Sequence, residues 1–164
     1  MKRRYLLQAS AAMVGAAGLS RYLSGCAKER AVATPPFEVV KTETEWRKIL
    51  TPAQFYVLRQ HGTEQAGTSP LDRQYGKGNY RCVGCDLPLF ASNAKFNSGT
   101  GWPSFYAPIE KAIGTSEDKM FGMTRTEVHC RRCGGHLGHV FLDGPPPTGQ
   151  RYCINGVALK FVPA

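Results

Sequence analysis

The apolar positions along this chain fall into three textures. From Tyr5 to Leu19 they form a mildly apolar, Ala- and Gly-rich stretch of 15 residues. That is short of the roughly 20 residues a membrane-spanning helix needs. From Thr42 to Gly62 the spacing is helical. Thr42 and Glu45 have the spacing of a capping box, which predicts a short helical turn through Trp46, Ile49 and Leu50. Thr51-Pro52 opens a clearer helix, with Thr51 as N-cap and Pro52 at its first position. Phe55, Leu58 and Arg59 follow at helical spacing, and Gly62 supplies the stop. From Tyr80 onward short β-prone runs alternate with turns: Lys119–Arg125, Glu127–His129, His139–Leu142 and Arg151–Phe161. Period two places Arg151, Cys153 and Asn155 on one face of the last run, with Tyr152 and Ile154 on the other.

Composition agrees with a mainly β domain. Most of the 18 glycines and 11 prolines lie between short apolar runs, which favours many short strands over a few long helices. With 42% hydrophobic and 20% charged residues, the 164-residue chain can bury a core, and its length fits one domain with a tail. The net charge of +9 would point to nucleic acid if it were spread over the fold. It is not. The first 33 residues hold six basic residues against the single Glu29, which is about half of the excess.

Residues 1–33 read as an export signal. Lys2-Arg3-Arg4 precedes the apolar stretch, and Arg3-Arg4-Tyr5-Leu6-Leu7 resembles a twin-arginine signal, with Lys2 where Ser or Thr is usual. Two processing routes stay open. Leu23-Ser24-Gly25-Cys26 resembles a lipobox, which would lipidate Cys26 and anchor the protein to a membrane; Arg21 interrupts the run before it. Ala31-Val32-Ala33 instead fits ordinary cleavage, which would free it. Either route puts the protein in the periplasm or on the outer face of a membrane. Residues 34–42, beginning Thr34-Pro35-Pro36, read as a linker to a domain over 43–164.

The chemistry starts with six cysteines. Cys82-Val83-Gly84-Cys85 and Cys130-Arg131-Arg132-Cys133 are two C-x-x-C pairs separated by 44 residues. Together they can close a tetrahedral all-cysteine Zn2+ site, one per chain. Four thiolates leave no open position, so such an ion is structural. Two disulfides are the alternative in an exported protein, and a single C-x-x-C can also be a redox pair. Two matching pairs favour zinc. Cys26 and Cys153 remain.

Cys153 shares its face with Arg151 and Asn155, which is polar where a core face would be apolar. Arg151 would favour the thiolate, which is the nucleophilic form. Taken alone, a buried structural cysteine beside a surface arginine is the better reading. His136 and His139, in His136-Leu137-Gly138-His139, can donate or accept protons near neutral pH, and Asp143 follows them. Ser98 to Phe105 form a glycine-flexed loop presenting Trp102 and Phe105, as pocket wall or as core.

Taken together, these motifs resemble the methionine sulfoxide reductase B family, from about Lys41 to Val162. The resemblance rests on Thr51-Pro52, His61-Gly62-Thr63-Glu64, Tyr80-Arg81-Cys82, Ser98 to Phe105, Gly134 to Asp143, and Arg151 to Asn155. It implies two small antiparallel sheets (a β-tent) with short N-terminal helices and a zinc site remote from the chemistry. It also implies that Cys153 attacks the sulfur of methionine-R-sulfoxide, with His139, His136, Asp143 and Asn155 helping to protonate the departing oxygen. Trp102, with Phe105 beside it, would receive the substrate, and Arg151 would favour the thiolate. The product is methionine and a Cys153 sulfenic acid.

Many members carry a resolving cysteine before the tryptophan; this chain has Thr100. The resemblance therefore implies reduction of the sulfenic acid by an external thiol or a thioredoxin-like partner. Oxidised peptides or proteins are the expected substrates, nothing requires more than a monomer, and nucleic acid is not an expected partner. A zinc-ribbon binding module would explain the cysteines and leave Arg151–Asn155 and both histidines without a role. A thiol peroxidase would share Cys153 and need no methyl pocket at Trp102.

Overall fold

Both N-terminal helices begin where their capping residues place them. In α1 (Glu43–Ile49) the Thr42 hydroxyl accepts from the Glu45 amide, while the Glu45 carboxylate accepts from the Thr42 amide at 2.7 Å. In α2 (Pro52–Gln60) Thr51 and Gln54 repeat the device around Pro52. Trp46, Leu50, Phe55, Val57 and Leu58 are the residues these helices bury, whereas Ile49 faces solvent. α2 stops one residue earlier than its glycine implies. His61 itself adopts left-handed backbone, φ 55°, and the Gly62 amide returns to the Tyr56 carbonyl at 3.0 Å.

This computed structural model describes residues 37–119 and 122–164. The expected export signal over 1–33, Cys26 within it, and Thr34-Pro35-Pro36 of the linker lie outside the described residues. Among the described residues no helix is long and apolar enough to cross a membrane.

Among the described residues nine strands make two antiparallel sheets. One has the order β2–β1–β9, from β1 (Gly78–Cys82), β2 (Pro88–Ala91) and β9 (Leu159–Pro163). The other has the order β3–β4–β8–β7–β6–β5. Its strands are β3 (Lys95–Phe96), β4 (Ser104–Phe105), β5 (Ile113–Asp118), β6 (Arg125–Cys130), β7 (His136–Phe141) and β8 (Arg151–Ile154). Of the expected strand over Lys119–Arg125, Arg125 opens β6, Lys119 and residues 122–124 are not strand, and residues 120 and 121 lie outside the described residues. The expected run Arg151–Phe161 is two strands in different sheets, parted by a 3₁₀ turn at Gly156–Ala158. The chain can leave one sheet here because the Glu64 carboxylate accepts from the Gly156 and Val157 amides, which a sheet partner would otherwise have to satisfy.

The core lies between these layers. Tyr80, Leu89, Phe90, Phe105, Val128, Leu137 and Ile154 are fully buried. The rings of Phe90 and Phe105 stack at 4.4 Å, and Tyr80 meets Phe105 edge-on at 4.9 Å. Burial of each such side chain contributes about 1.5–3 kcal/mol.

The four cysteines join the two sheets. Cys82 ends β1 with Cys85 in the turn beyond it, while Cys130 ends β6 and Cys133 lies in the turn before β7. The sulfurs stand 3.7 Å apart for Cys82 and Cys133, and 3.4 Å for Cys85 and Cys130. A disulfide needs about 2.05 Å, so these are free thiols. A tetrahedron with metal–sulfur bonds of about 2.3 Å has edges near 3.8 Å. The four donors lie within 4.8 Å of one another and could hold a zinc ion.

One irregularity in the larger sheet positions the chemistry. Between β6 and β7 the register runs Val128 opposite Gly138, then His129 opposite His136, which leaves Leu137 as an extra residue. Asn155 takes the Leu137 carbonyl with both its backbone and its side-chain N–H, at 2.8 and 2.9 Å. Gly138 lies so close to the neighbouring strand that a Cβ there would overlap the Cys153 carbonyl. We predict that Gly138→Ala destabilises the protein by about 2 kcal/mol. Urea unfolding measures this directly, and an unchanged midpoint would show that β8 yields without cost.

Candidate active site

Strand register alone assembles a polar row across the larger sheet. Ser104 pairs with Cys153, Cys153 with His139, His139 with Glu127, and Glu127 with Ser116. Directly paired residues share a face with Cβ atoms about 5 Å apart. In a regular strand His136, three residues before His139, would point to the opposite face. The extra residue at Leu137 turns it back, and the two imidazole centroids stand 5.4 Å apart.

Each histidine has its own carboxylate. His139 Nε2 lies 2.8 Å from Asp118 Oδ2, which also accepts from Arg125 at 2.6 Å. His136 Nδ1 lies 2.7 Å from Glu127 Oε1, and the Ser116 hydroxyl donates to Glu127 Oε2 at 2.6 Å. Burial holds the His136 imidazole below its ordinary range, against the opposing pull of Glu127, so the ring is neutral at pH 7. Burial alone would raise Glu127. The Ser116 and His136 hydrogen bonds, with the charge on His136 and His61, bring it below the usual carboxylate range.

Cys153 is half-buried in a cavity of about 130 Å³ lined also by Trp102, His139, Asn155, Thr63, Phe141 and Arg125. The indole N–H of Trp102 donates to the Glu64 carbonyl at 3.2 Å, which fixes one edge of the ring. Asn155 Oδ1 accepts from the Glu64 amide at 2.9 Å. The Glu64 carboxyl is itself raised by burial, in part offset by the Gly156 and Val157 amides it binds. A second cavity, about 380 Å³, adjoins the first through Thr63, Arg125 and His139, and is lined by His61, Asp118, Glu127 and His136.

The Cys153 thiol is raised above its ordinary value because burial outweighs the lowering effect of the Arg151 charge and of hydrogen bonds from Thr100 and Arg151. Arg151 therefore moderates the cost of burying the thiolate without reversing it. Its guanidinium forms a two-point bond to Asp143 at 2.9 and 2.8 Å and lies 4.5 Å over the Phe141 ring.

Most of the residues singled out in the sequence converge, with two differences. Asp143, expected to serve the histidines, is bonded to Arg151 and is 61% exposed; the carboxylates on the histidines are Asp118 and Glu127. Phe105, expected beside the substrate, is fully buried between Phe90 and Tyr80 because its neighbour Ser104 takes the polar face. Trp102, His136, His139, Arg151, Cys153 and Asn155 meet around the two cavities and the strand beneath them. None of Cys82, Cys85, Cys130 and Cys133 lines either cavity. The sequence reading missed Asp118, Glu127 and Arg125, for which only polar strand positions were visible.

A free thiol paired in register with an imidazole, apart from four other clustered thiols, is an arrangement suited to thiol chemistry rather than to binding alone. The SelR domain profile matches residues 50–163. The chain is 53% identical over 127 residues to the peptide methionine sulfoxide reductase MsrB of Agrobacterium fabrum, covering 77% of this chain and 94% of that one. It is 56% identical over 127 residues to the protein of the same name from Pseudomonas putida, covering 77% and 96%. For the one from Methanosarcina barkeri the values are 55% over 124 residues, covering 75% and 87%. The chain belongs to the methionine sulfoxide reductase B family.

The balance at Cys153 has a measurable consequence. Because the thiol titrates above its ordinary value, its alkylation by iodoacetamide should keep rising through the alkaline range. Removing the positive charge in Arg151→Gln raises the thiol further, so alkylation at pH 7 should fall by roughly three- to tenfold. A downward shift of the pH profile in that variant would contradict this assignment.

Proposed function

We propose that this protein reduces the R epimer of methionine sulfoxide in oxidised peptides or proteins, with Cys153 as nucleophile. The observation that carries this reading is the position of Cys153. It is a free thiol facing His139 across one register pair, in a cavity the size of a side-chain tip and walled by Trp102.

The Cys153 thiolate attacks the sulfoxide sulfur while the oxygen takes one proton from the imidazole side of the cavity, giving an adduct with an S–S bond and a hydroxyl on the substrate sulfur. The hydroxyl then passes to the Cys153 sulfur as the S–O and S–S bonds break; methionine leaves with the S–S electron pair and Cys153 is left as a sulfenic acid. His139, held by Asp118, is the imidazole facing Cys153 in register, and His136 stands next to it. Trp102 offers an apolar face to the methyl group. With the methyl on Trp102, the oxygen toward the histidines and the sulfur open to Cys153, only one arrangement of the chiral sulfur leaves the rest of the substrate free to exit. That requirement selects one epimer. Cys82, Cys85, Cys130 and Cys133 would hold one structural Zn2+ per chain, which ties the sheets and supplies no chemistry to the reaction.

The sulfenic acid is then reduced from outside. The Thr100 hydroxyl reaches Cys153 where a second thiol would be needed, and it cannot form a disulfide. Two external thiols, or the dithiol of a thioredoxin-like protein, become a disulfide as Cys153 returns to the thiol and water is released.

With separated epimers and dithiothreitol, the purified protein should reduce the R form and leave the S form intact. Cys153→Ser should lower the rate by at least ~10³-fold. Equal rates on both epimers, or an active Cys153→Ser protein, would sink the proposal. A single turnover without reductant should leave a sulfenic acid that dimedone traps. In Thr100→Cys the same turnover should give an internal disulfide and little trapping, read by mass spectrometry; persistent trapping would mean that residue 100 does not reach Cys153.

A further inference from the structure

Behind the proposed chemistry, three potential metal ligands converge on one point. His61 Nδ1 lies 3.0 Å from Glu127 Oε1, and His136 Nδ1 lies 2.7 Å from the same oxygen. The three donor atoms fall within 4.8 Å of one another, and the two imidazole centroids are 5.2 Å apart. We propose that His61, Glu127 and His136 form a second metal site, separate from the four cysteines, that takes a divalent transition-metal ion of the zinc or cobalt kind.

The chemistry of the donors sets the class of ion. Two imidazoles and one carboxylate suit borderline metals, whereas calcium and magnesium prefer all-oxygen shells. With bonds of about 2.0–2.1 Å, tetrahedral ligands stand about 3.3 Å apart. The spacing of 3.0 Å between His61 and Glu127 needs to open by about 0.3 Å, and that of 2.7 Å between His136 and Glu127 by about 0.6 Å. His61, with its side chain 55% exposed, can supply the first movement; the second falls to the Glu127 carboxylate, because the His136 side chain is 2% exposed. One carboxylate oxygen now faces two ring nitrogens, and a cation there would take the place of the protons between them.

The surroundings are those of a ligand set. The other oxygen of Glu127 is held by the Ser116 hydroxyl at 2.6 Å, the kind of outer hydrogen bond that orients a metal-binding carboxylate. The site opens onto the larger cavity, which Glu117 and Asp118 also line, with Lys119 and Arg125 opposing their charge. Three protein donors leave at least one position for water or a small anion. His61 presents its ring here from a left-handed helix end that glycine or asparagine would occupy more readily.

Occupancy would act on the reaction. With Nδ1 on a metal, His136 Nε2 must carry the ring's only proton, and a metal-bound imidazole does not release it near neutral pH. The ion would thus remove His136 from proton transfer and slow turnover. This consequence rests on the reading that His136 takes part in catalysis; the binding itself does not.

The test titrates Co2+ into zinc-loaded protein, with absorption and calorimetry as readouts. Wild type and Cys153→Ser should each bind one further equivalent, with weak ligand-field bands and no new thiolate-to-cobalt charge transfer. His61→Asn, which keeps the left-handed helix end, should bind at least tenfold more weakly. Equal binding by His61→Asn, or binding that vanishes in Cys153→Ser, would overturn the site. Methionine formed in a single turnover without thiols should fall with Co2+ in wild type. In His61→Asn it should stay at the metal-free level, which should match wild type. Tight binding at His61 with no loss of turnover would support the metal site and count against a role for His136 in the reaction.

Discussion

Four sulfurs from two different sheets meet at one point, beside the core that those sheets share. Cys82 and Cys85 come from the end of β1 in the three-stranded sheet, and Cys130 and Cys133 from the end of β6 and the turn into β7 in the larger one. A metal ion held by all four would link residues far apart in sequence, and as a simple loop closure that would lower the entropy of the unfolded chain by on the order of 4 kcal/mol. Everything else is built outward from that junction. β6 and β7 leave it as a pair, and the polar row runs across them to β8. The aromatic stack of Tyr80, Phe90 and Phe105 fills the space behind. For a domain of this size, with strands of two to six residues, such a clamp offsets what a small core cannot supply.

The site gains its character from competition between burial and charge. Cys153 loses more to desolvation than Arg151 and Thr100 return, so the resting sulfur stays largely protonated and a positive charge is kept beside it. His136 is pushed in the same direction by the same cause, toward the uncharged form, although Glu127 pulls against it. Arg151 is kept in place by Asp143 and Phe141, so its orientation owes nothing to the substrate. The thiol of Cys153, the His136 ring and the Arg151 guanidinium are thus fixed in position before anything binds, the first two uncharged.

Local signals in the sequence were enough for the helices, the cysteine clamp and the polar face of Arg151, Cys153 and Asn155. Capping residues, C-x-x-C spacing and a period of two all act within a few positions, where a linear reading can see them. Pairing between distant strands cannot be read that way. Asp118 and Glu127 sit behind the histidines because β5, β6 and β7 happen to lie side by side, and β5 (Ile113–Asp118) is mostly exposed, with little apolar alternation to announce it. Phe105 was misplaced for a related reason. The loop that carries Trp102 into the cavity becomes strand at Ser104, and one residue of alternation then sends the next ring into the core.

The extra residue at Leu137 makes this part of the fold depend on counting. In an unbroken strand, neighbouring side chains on one face stand about 6.6 Å apart and nearly parallel. Here the two imidazoles are 5.4 Å apart with their planes crossed at 66°, because three residues cover a distance that two would normally span. Side-chain replacements in this stretch alter one contact at a time. A gain or loss of a single residue between His136 and Gly138 would instead exchange the inner and outer faces of the strand end. The count of residues between these two histidines therefore decides which side of the sheet each ring faces.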